Sequence, residues 1–268
     1  MLDLIIFTQY PRTYGPRRFK EEAEKLGLTC KIKSYKNTDL DELPEARFVI
    51  LREPTANKNI YDLRDSILNF YIKNNSIVLN KDSYVKWSVL DKKTQALEFK
   101  KGGIPAVVEL DPSTTDYPFI VKSKLGSHGS HVFKIEDKND LYNVLLKYPK
   151  KDLLFQEFQT SGFDLRVIVL DGRVLGIMKR TPREGEFLSN FSQGGIVSEY
   201  EGEDREEICN IAFKTASHFK LDYVGVDLMK GNDGEWKVLE VNRACQFQGF
   251  EKATGVNVAE EVINYITQ

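Results

Sequence analysis

The segment that most restricts the fold of this 268-residue chain runs from Val224 to Gly255 and reads VGVDLMKGNDGEWKVLEVNRACQFQGFEKATG. Two strand-like runs flank Asn232-Asp233-Gly234, and such a turn between apolar runs is the strongest short-range signal for an antiparallel hairpin. Asp227 lies in the first run, and Glu240 and Asn242 close the second. Residues two apart on a strand share a face, so Glu240 and Asn242 project together, and pairing of the strands brings Asp227 to them. Two readings of the trio stand open. One is a solvent-exposed hairpin with ordinary surface charges. The other is a set of hard oxygen ligands, because such groups amid apolar strand residues are costly to bury unpaired and a divalent cation is the usual remedy. Magnesium suits that set, since it takes few protein carboxylates and leaves positions for water and phosphate.

The organisation before the hairpin falls into two parts. Leu2–Phe7 reads as a buried strand, Phe19–Leu26 as a helix capped by Gly27, Thr29–Lys33 and Phe48–Leu51 as strands, Leu63–Lys73 as a helix, and Ser76–Leu79 as a strand after the Asn74-Asn75 turn. Strands alternating with helices predict a small α/β unit with parallel pairing over the first 80 or so residues. It lacks the GxGxxG dinucleotide fingerprint. One helix is expected from Val85 to Lys101, ending at Gly102-Gly103. Beyond it the character changes to α+β. Pro105–Leu110, Phe119–Lys122, His131–Ile135, Leu153–Phe158, Leu165–Leu170 and Val174–Met178 read as strands, the last two joined by Asp171-Gly172. Asn139–Tyr148, Glu203–Phe219 and Val258–Ile266 read as helices, and the polar stretch Thr181–Gly195 as a loop near a site.

Composition narrows the class. The net charge is −2 with 29% charged residues, and basic residues form no long run, so nucleic acid is not favoured as a partner. Cys30, Cys209 and Cys245 are odd in number and far apart, without metal or disulfide spacing, which fits a reducing cytosol. The opening MLDLIIF is too short to span a membrane and lacks the features of a signal peptide. A cytoplasmic protein with no membrane partner is expected.

Three further segments carry chemistry. In FIVKSKLGSHGSHV a strand ends at Lys122 and a small-residue loop with Gly126, Ser127, Gly129 and Ser130 follows. Small residues let backbone N–H groups approach an anion, and Lys122 adds fixed positive charge, so phosphate binding is expected over a mere flexible hairpin. A strand rather than a helix follows, so this is not a Walker loop. His128 and His131 are three apart, but a chain with three histidines and no nearby Cys gives little support for a transition metal. The LLFQEF strand ends at Glu157, whose carboxylate and edge backbone groups could read an adenine amine or ribose hydroxyls with Phe158 as an apolar face, but in isolation an ordinary strand end is the favoured reading. In FDLRVIV, Asp164 and Arg166 share a face, and Lys179, Arg180, Arg183, Ser189 and Asn190 follow. Cations converging on a magnesium site would neutralise phosphate, whereas a solvated basic face is the plainer account for Arg183 but not for Arg166, which lies in an apolar strand.

The order of these motifs, from Lys122-GSHGSHV through QEF, DLRV, RTPREGEFLSNFSQGG, GVD and EVN to GFEKATG, resembles the ATP-grasp superfamily, and within it the RimK type of alpha-L-glutamate ligase. The likeness covers most of the chain, including YPRTYGPRRFKEEAEKLG at the start. It implies a Rossmann-like pre-ATP-grasp domain over 1–84 and a two-lobed ATP-grasp module over 85–268, with a lid lobe about 105–158 and a metal and substrate lobe about 159–268. It implies an ATP-dependent carboxylate–amine ligase that forms an amide through an acyl phosphate. Lys92 and Lys122 would touch the nucleotide's phosphates, and the loop Gly126, Ser127, His128, Gly129, Ser130 would fold over them. Gln156, Glu157, Phe158 and Asp164 would line the nucleotide pocket. Asp227, Glu240 and Asn242 would hold two magnesium ions, with manganese as a substitute, and Arg166, Arg180 and Asn190 would flank the γ-phosphate or acyl phosphate. The partners implied are an amino acid such as glutamate and a peptide, protein terminus or metabolite carboxylate. Related enzymes are commonly dimers or tetramers.

Two departures from the pattern stand out. His131 replaces a third glycine in the lid. NRACQ follows the metal ligands where relatives carry a small residue and proline, which makes Arg243, Cys245 and Gln246, with Arg183, candidates for substrate contact. Nothing in the sequence pairs Cys245 with a base, so it is not expected to act as a nucleophile. A small-molecule kinase and a nucleotide-binding regulatory module are the competing readings, and the intact trio with Lys122 argues against the second.

Overall fold

The computed structural model describes residues 1–52, 58–124, 131–183 and 195–268. Its first sheet explains why the opening run is apolar without alternation. β1 (Leu2–Thr8), β2 (Cys30–Ser34), β3 (Ala46–Leu51) and β4 (Ile77–Val78) pair in parallel in the order β2-β1-β3-β4. Leu4 and Ile6 face Phe19 and Ala23 of α1 (Tyr14–Lys25), while Ile5 and Phe7 face Ile67, Leu68 and Tyr71 of α2 (Lys58–Lys73). A parallel strand covered on both faces is apolar on both. The α/β expectation for this part holds. α1 begins five residues before the expected Phe19, because Pro16 falls in its first turn, where the missing N–H has no intrahelical acceptor to lose. Gly27 ends it with φ +76°.

The helix expected over Val85–Lys101 is two helices, α3 (Lys81–Lys86) and α4 (Lys92–Lys101). The break is set by Asp91, whose carboxylate accepts from Thr94 N at 2.7 Å and starts a new helix, and by Trp87 and Leu90, which turn into the core. Ahead of α3, Asn80 takes a left-handed conformation with φ +61°. Its side chain donates to the carbonyls of Tyr223 (2.7 Å) and Arg243 (3.2 Å) and accepts from Tyr223 N (2.9 Å).

A small antiparallel sheet follows in the order β6-β5-β7, from β5 (Phe119–Ser123), β6 (Val132–Ile135) and β7 (Leu153–Glu157), with α5 (Lys138–Lys147) packed on it. The strand expected at 105–110 does not form. That segment makes only isolated bridges, Ala106 with Val238 and Glu109 with Gln156. Its backbone straddles two sheets, with Val107 N bonded to Val238 O at 3.2 Å and Leu110 N to Phe155 O at 2.9 Å.

The large antiparallel sheet has the order β10-β9-β8-β11-β12, built from β8 (Asp164–Leu170), β9 (Arg173–Thr181), β10 (Ile196–Glu199), β11 (Tyr223–Lys230) and β12 (Trp236–Asn242). The Asp171-Gly172 turn has φ +48° and +67°, as a tight two-residue hairpin requires. One face packs Leu165, Val167, Val169, Val226 and Leu228 against Ile208, Ala212 and Phe219 on and beside α6 (Arg205–His218). On the other, Ile168, Leu170 and Tyr223 meet α1, α7 (Gln248–Thr254) and α8 (Val258–Thr267). β10 and α7 carry no clear sequence signal, the first being a largely exposed edge strand and the second a seven-residue helix containing glycine. Among the described residues no helix is long and apolar enough to cross a membrane.

Candidate active site

Period two along β8 explains where the polar residues go. The face that buries Ile168 and Leu170 carries Asp164 and Arg166 at its other end. Register then aligns a charged row across four strands. Arg180 on β9 stands opposite Asp164, Arg166 opposite Asp227 on β11, and Asp227 opposite Glu240 on β12. Gly225 stands opposite Asn242. A Cβ at Gly225 would lie 2.7 Å from Cys245 Cβ, so the absence of a side chain is what lets the chain beyond β12 close over the sheet.

Asp227 is the hub. Arg166 grips it bidentately, Nε to Oδ1 at 2.8 Å and Nη2 to Oδ2 at 2.7 Å, and Arg180 Nη2 reaches Oδ2 at 3.1 Å. Arg180 Nε also pairs with Asp164, and Asn242 Nδ2 lies 3.4 Å from Asp227 Oδ2. Burial pushes the Asp227 carboxyl up, but the two guanidiniums outweigh burial and hold it below the usual carboxylate range. Burial alone would lower the Arg166 pKa, and Asp227 raises it instead.

Lys122, at the end of β5, faces this row from the small sheet. Burial lowers its ammonium pKa to about 8, with Glu240, Asp164 and Asp227 opposing the shift and Lys92 adding to it. Lys92 opens α4, and its backbone N–H bonds to Lys124 O at 3.2 Å, which ties the helix start to the end of β5. The sheets therefore enclose two lysines on one side and the acid–arginine row on the other.

The donor set fits magnesium. Glu240 has no hydrogen-bond or ion-pair partner among the described residues, and with the Asp227 carboxylate and the Asn242 amide it makes a set of hard oxygens. Among the described residues no group of three or more His, Cys, Asp or Glu side chains is spaced to hold a metal. A cation here must therefore complete its shell with water or phosphate oxygens, as magnesium does and a closed zinc cage does not.

The structure places the other expected residues as follows. Gln156 is buried, and its Oε1 has no hydrogen-bond partner among the described residues, which leaves an acceptor for a ligand. Glu157 is tied to Lys237 Nζ at 3.0 Å, and the Phe158 ring lies 4.7 Å from Lys134 Nζ. Asp164 is paired with Arg180. His131 packs its ring on Tyr148, 5.5 Å between centroids. Arg183 is exposed. Gly126, Ser127, His128, Gly129, Ser130 and Asn190 lie outside the described residues.

Of the substrate candidates, Arg243 points away from the row. It is 2% exposed, donates to Trp87 O at 2.7 Å, and stacks 4.3 Å over Tyr84. It clamps the end of α3. Cys245 is buried against Tyr223 OH at 3.1 Å, and burial pushes its thiol pKa up, the opposite of an activated nucleophile. Gln246 exposes its side chain and gives its carbonyl to Arg166 Nη1 at 3.1 Å. Sequence reasoning missed Asn232, read only as a turn residue. Its amide clasps the segment after β7, donating to Phe158 O at 2.8 Å and accepting from Thr160 N at 3.0 Å. A cavity of about 1030 Å³ lies elsewhere, lined by residues such as Ala106, Glu206, Asn210 and Trp236 and by none of the charged row.

Comparison with known proteins bears on this geometry. A family model for the RimK-like ATP-grasp domain matches residues 93–266. A probable alpha-L-glutamate ligase of Maridesulfovibrio salexigens is 35% identical over 153 residues, 56% of this chain and 50% of that protein. Beta-citrylglutamate synthase B of Danio rerio is 34% identical over 159 residues, 56% of this chain and 37% of that protein. These two alignments thus span half or less of the relatives' length. Probable alpha-L-glutamate ligase 1 of Shewanella frigidimarina is 28% identical over 99% of this chain and 95% of its own. Among solved structures, the ATP-grasp ligase PsnB complexed with minimal precursor superposes with a TM-score of 0.75 at 21% identity, covering 98% of each chain. D-cycloserine synthetase DcsG gives 0.70 at 15% identity, over 98% of this chain and 99% of its own. At these identities the structural likeness shows a shared fold.

Proposed function

The chain belongs to the RimK-like ATP-grasp family, and from that premise we propose that it is an ATP-dependent carboxylate–amine ligase. In this reading residues 1–84 form the preceding α/β domain and 85–268 the ATP-grasp module, with nucleotide between the small and large sheets. The reaction needs ATP because a carboxylate is a poor electrophile at neutral pH. Transfer of the γ-phosphoryl group gives an acyl phosphate and ADP, and attack by a neutral amine then expels phosphate and leaves an amide.

The observation that carries the reading is the charged row facing Lys122. Lys122 and Lys92 neutralise the nucleotide's phosphates. Arg166 and Arg180 would hold the transferring phosphoryl group and the acyl phosphate, and Asn190 is assigned there by family resemblance alone. Asp227, Glu240 and Asn242 would hold magnesium, two ions by family resemblance, and the metal supplies charge neutralisation at the terminal phosphates. Gln156, with its unpartnered oxygen, accepts a hydrogen bond from the base, whose amine is a donor. The amine substrate is an amino acid such as glutamate and the acceptor a peptide, protein terminus or small carboxylate. This follows the names of the relatives, glutamate ligases and a citrylglutamate synthase, and a neighbour of the same fold bound to a precursor peptide. A cytoplasmic site of action fits the use of ATP.

The test is ADP release from ATP with pools of amino acids and carboxylates, with products read by mass. Release that needs both an amine and a carboxylate, with a product heavier by one amide linkage, is expected. ADP formation with an alcohol as sole acceptor would replace this reading with a kinase.

A further inference from the structure

We infer that Arg52 marks a second anion subsite, which holds a non-reacting carboxylate of the amine-bearing substrate; the inference rests on the ligase reading above. Arg52 follows β3 directly, at the carboxyl end of the parallel sheet. Strand order there is β2-β1-β3-β4, and the chain turns opposite ways on leaving β1 and β3. In open parallel sheets ligands sit in the crevice at this switch point.

The side chain is 5% exposed. It spends only Nη2 on protein acceptors, the carbonyls of Ala244 at 3.0 Å and Cys245 at 3.2 Å. Its Nε and Nη1 donors have no acceptor, and its charge no carboxylate, among the described residues. Phe19 lies under it, 5.7 Å from ring centre to Cζ. The other buried arginines are treated differently. Arg64 pairs with Asp65 at 2.5 Å, Arg180 with Asp164 and Asp227, and Arg243 turns its fork to the carbonyls of Ser83, Trp87 and Ser88. A buried cation without a counter-charge is costly, and an anion from outside relieves that cost.

The surroundings are ready for an anion. The first turn of α1 comes against the guanidinium, since a Cβ on Gly15 would lie 3.1 Å from Arg52 Cζ. That turn holds no acidic residue, and Thr13 provides no side-chain cap, so its N–H groups add partial positive charge. The subsite also adjoins the reaction centre. Arg52 holds the carbonyls of Ala244 and Cys245, and Arg166 holds that of Gln246. Consecutive α-carbons are about 3.8 Å apart, so the two guanidiniums grip adjacent residues of one short strap. An amino acid that delivers its amine to an acyl phosphate brings a carboxylate that must itself escape phosphorylation. An arginine fork beyond the strap takes it bidentately.

The test uses Arg52→Gln, which keeps an amide donor for the strap but removes the charge, and Arg52→Lys, which keeps the charge but not the fork. In turnover with the wild type's own substrate pair, Arg52→Gln is expected to raise KM for the amino acid about ten- to a hundred-fold. KM for ATP and kcat stay within about threefold, and Arg52→Lys falls between. Replacing the donor's carboxylate with a carboxamide should cost the wild type a similar factor and Arg52→Gln almost nothing, as coupling through one contact requires. An unchanged KM in Arg52→Gln, or a carboxamide donor as good as the acid in wild type, overturns the inference. Binding of L-glutamate to the nucleotide-free protein, followed by melting temperature, decides it without turnover. A rise in wild type that Arg52→Gln abolishes supports the subsite, and an equal rise in both, or none in wild type, overturns it. A wild type that binds L-glutamate through Arg52 yet joins no amine to any carboxylate sinks the ligase reading and leaves the subsite standing.

Discussion

Single residues separate chemistry from scaffolding here, and two substitutions show the difference. Glu240 is the one carboxylate of the row without a protein partner among the described residues, so on the proposed reading Glu240→Gln removes a charge that a bound metal would use. Turnover is expected to fall about 10²–10³-fold with the melting curve unchanged, and near wild-type turnover would remove Glu240 from the metal set. Arg243 is the reverse case. Arg243→Met leaves the carbonyls of Ser83, Trp87 and Ser88 without their donor, so unfolding in urea should show a loss of about 1–3 kcal/mol, with turnover per folded molecule unchanged. The position of the first residue was legible in the sequence and the contacts of the second were not. Strand period and an Asn-Asp-Gly turn suffice to bring Asp227, Glu240 and Asn242 together, because cross-strand neighbours follow from register. An arginine beyond the end of a strand obeys no such period. Only the position of α3, which ends where Arg243 reaches, reveals its direction.

At the scale of elements, legibility follows the strength of local signals. The Asp171-Gly172 and Asn232-Gly234 turns are written into the backbone's need for positive φ, seen at Asp171, Gly172 and Gly234, and both hairpins form. α1 starts early because Pro16 looks like a breaker and is tolerated in a first turn. Residues 105–110 look like a strand and straddle two sheets instead, which depends on partners far away in sequence. The contact between α4 and α6 gives a pH prediction. Hydrogen bonding to Lys101 at 2.7 Å, with His218 at 3.0 Å assisting, holds the Glu98 carboxyl below its ordinary value of 4.5. A carboxyl depressed in the folded state stabilises above its unfolded pKa, and that stability is lost as pH falls through the folded value. Melting temperature in wild type should therefore fall more between about pH 5 and pH 3 than in Glu98→Gln, and equal slopes would remove this contact from the acid response.

At the scale of the molecule, one core joins α1, α7 and α8 to both the parallel sheet and the large sheet, while the small sheet keeps a core of its own around Phe119, Val121 and Phe155. Nucleotide between the small and large sheets would bind the folded chain only, so Mg-ATP at 100 times its Kd should add about 2.7 kcal/mol. For a chain of this length that is about 5–10 °C in melting temperature, and ATP with excess chelator should give a distinctly smaller rise. Equal rises with and without metal would argue against magnesium at Asp227 and Glu240. Asn80 shapes how such binding is felt. One left-handed amide joins the end of the parallel sheet to Tyr223 and Arg243, and so bolts two of the three sheets into a single anvil. The third sheet is joined to that block through narrower ties, the strap of residues 105–110 and the Glu157–Lys237 ion pair, so nucleotide between the sheets would bridge a block held by one buried amide and a lobe held at its rim.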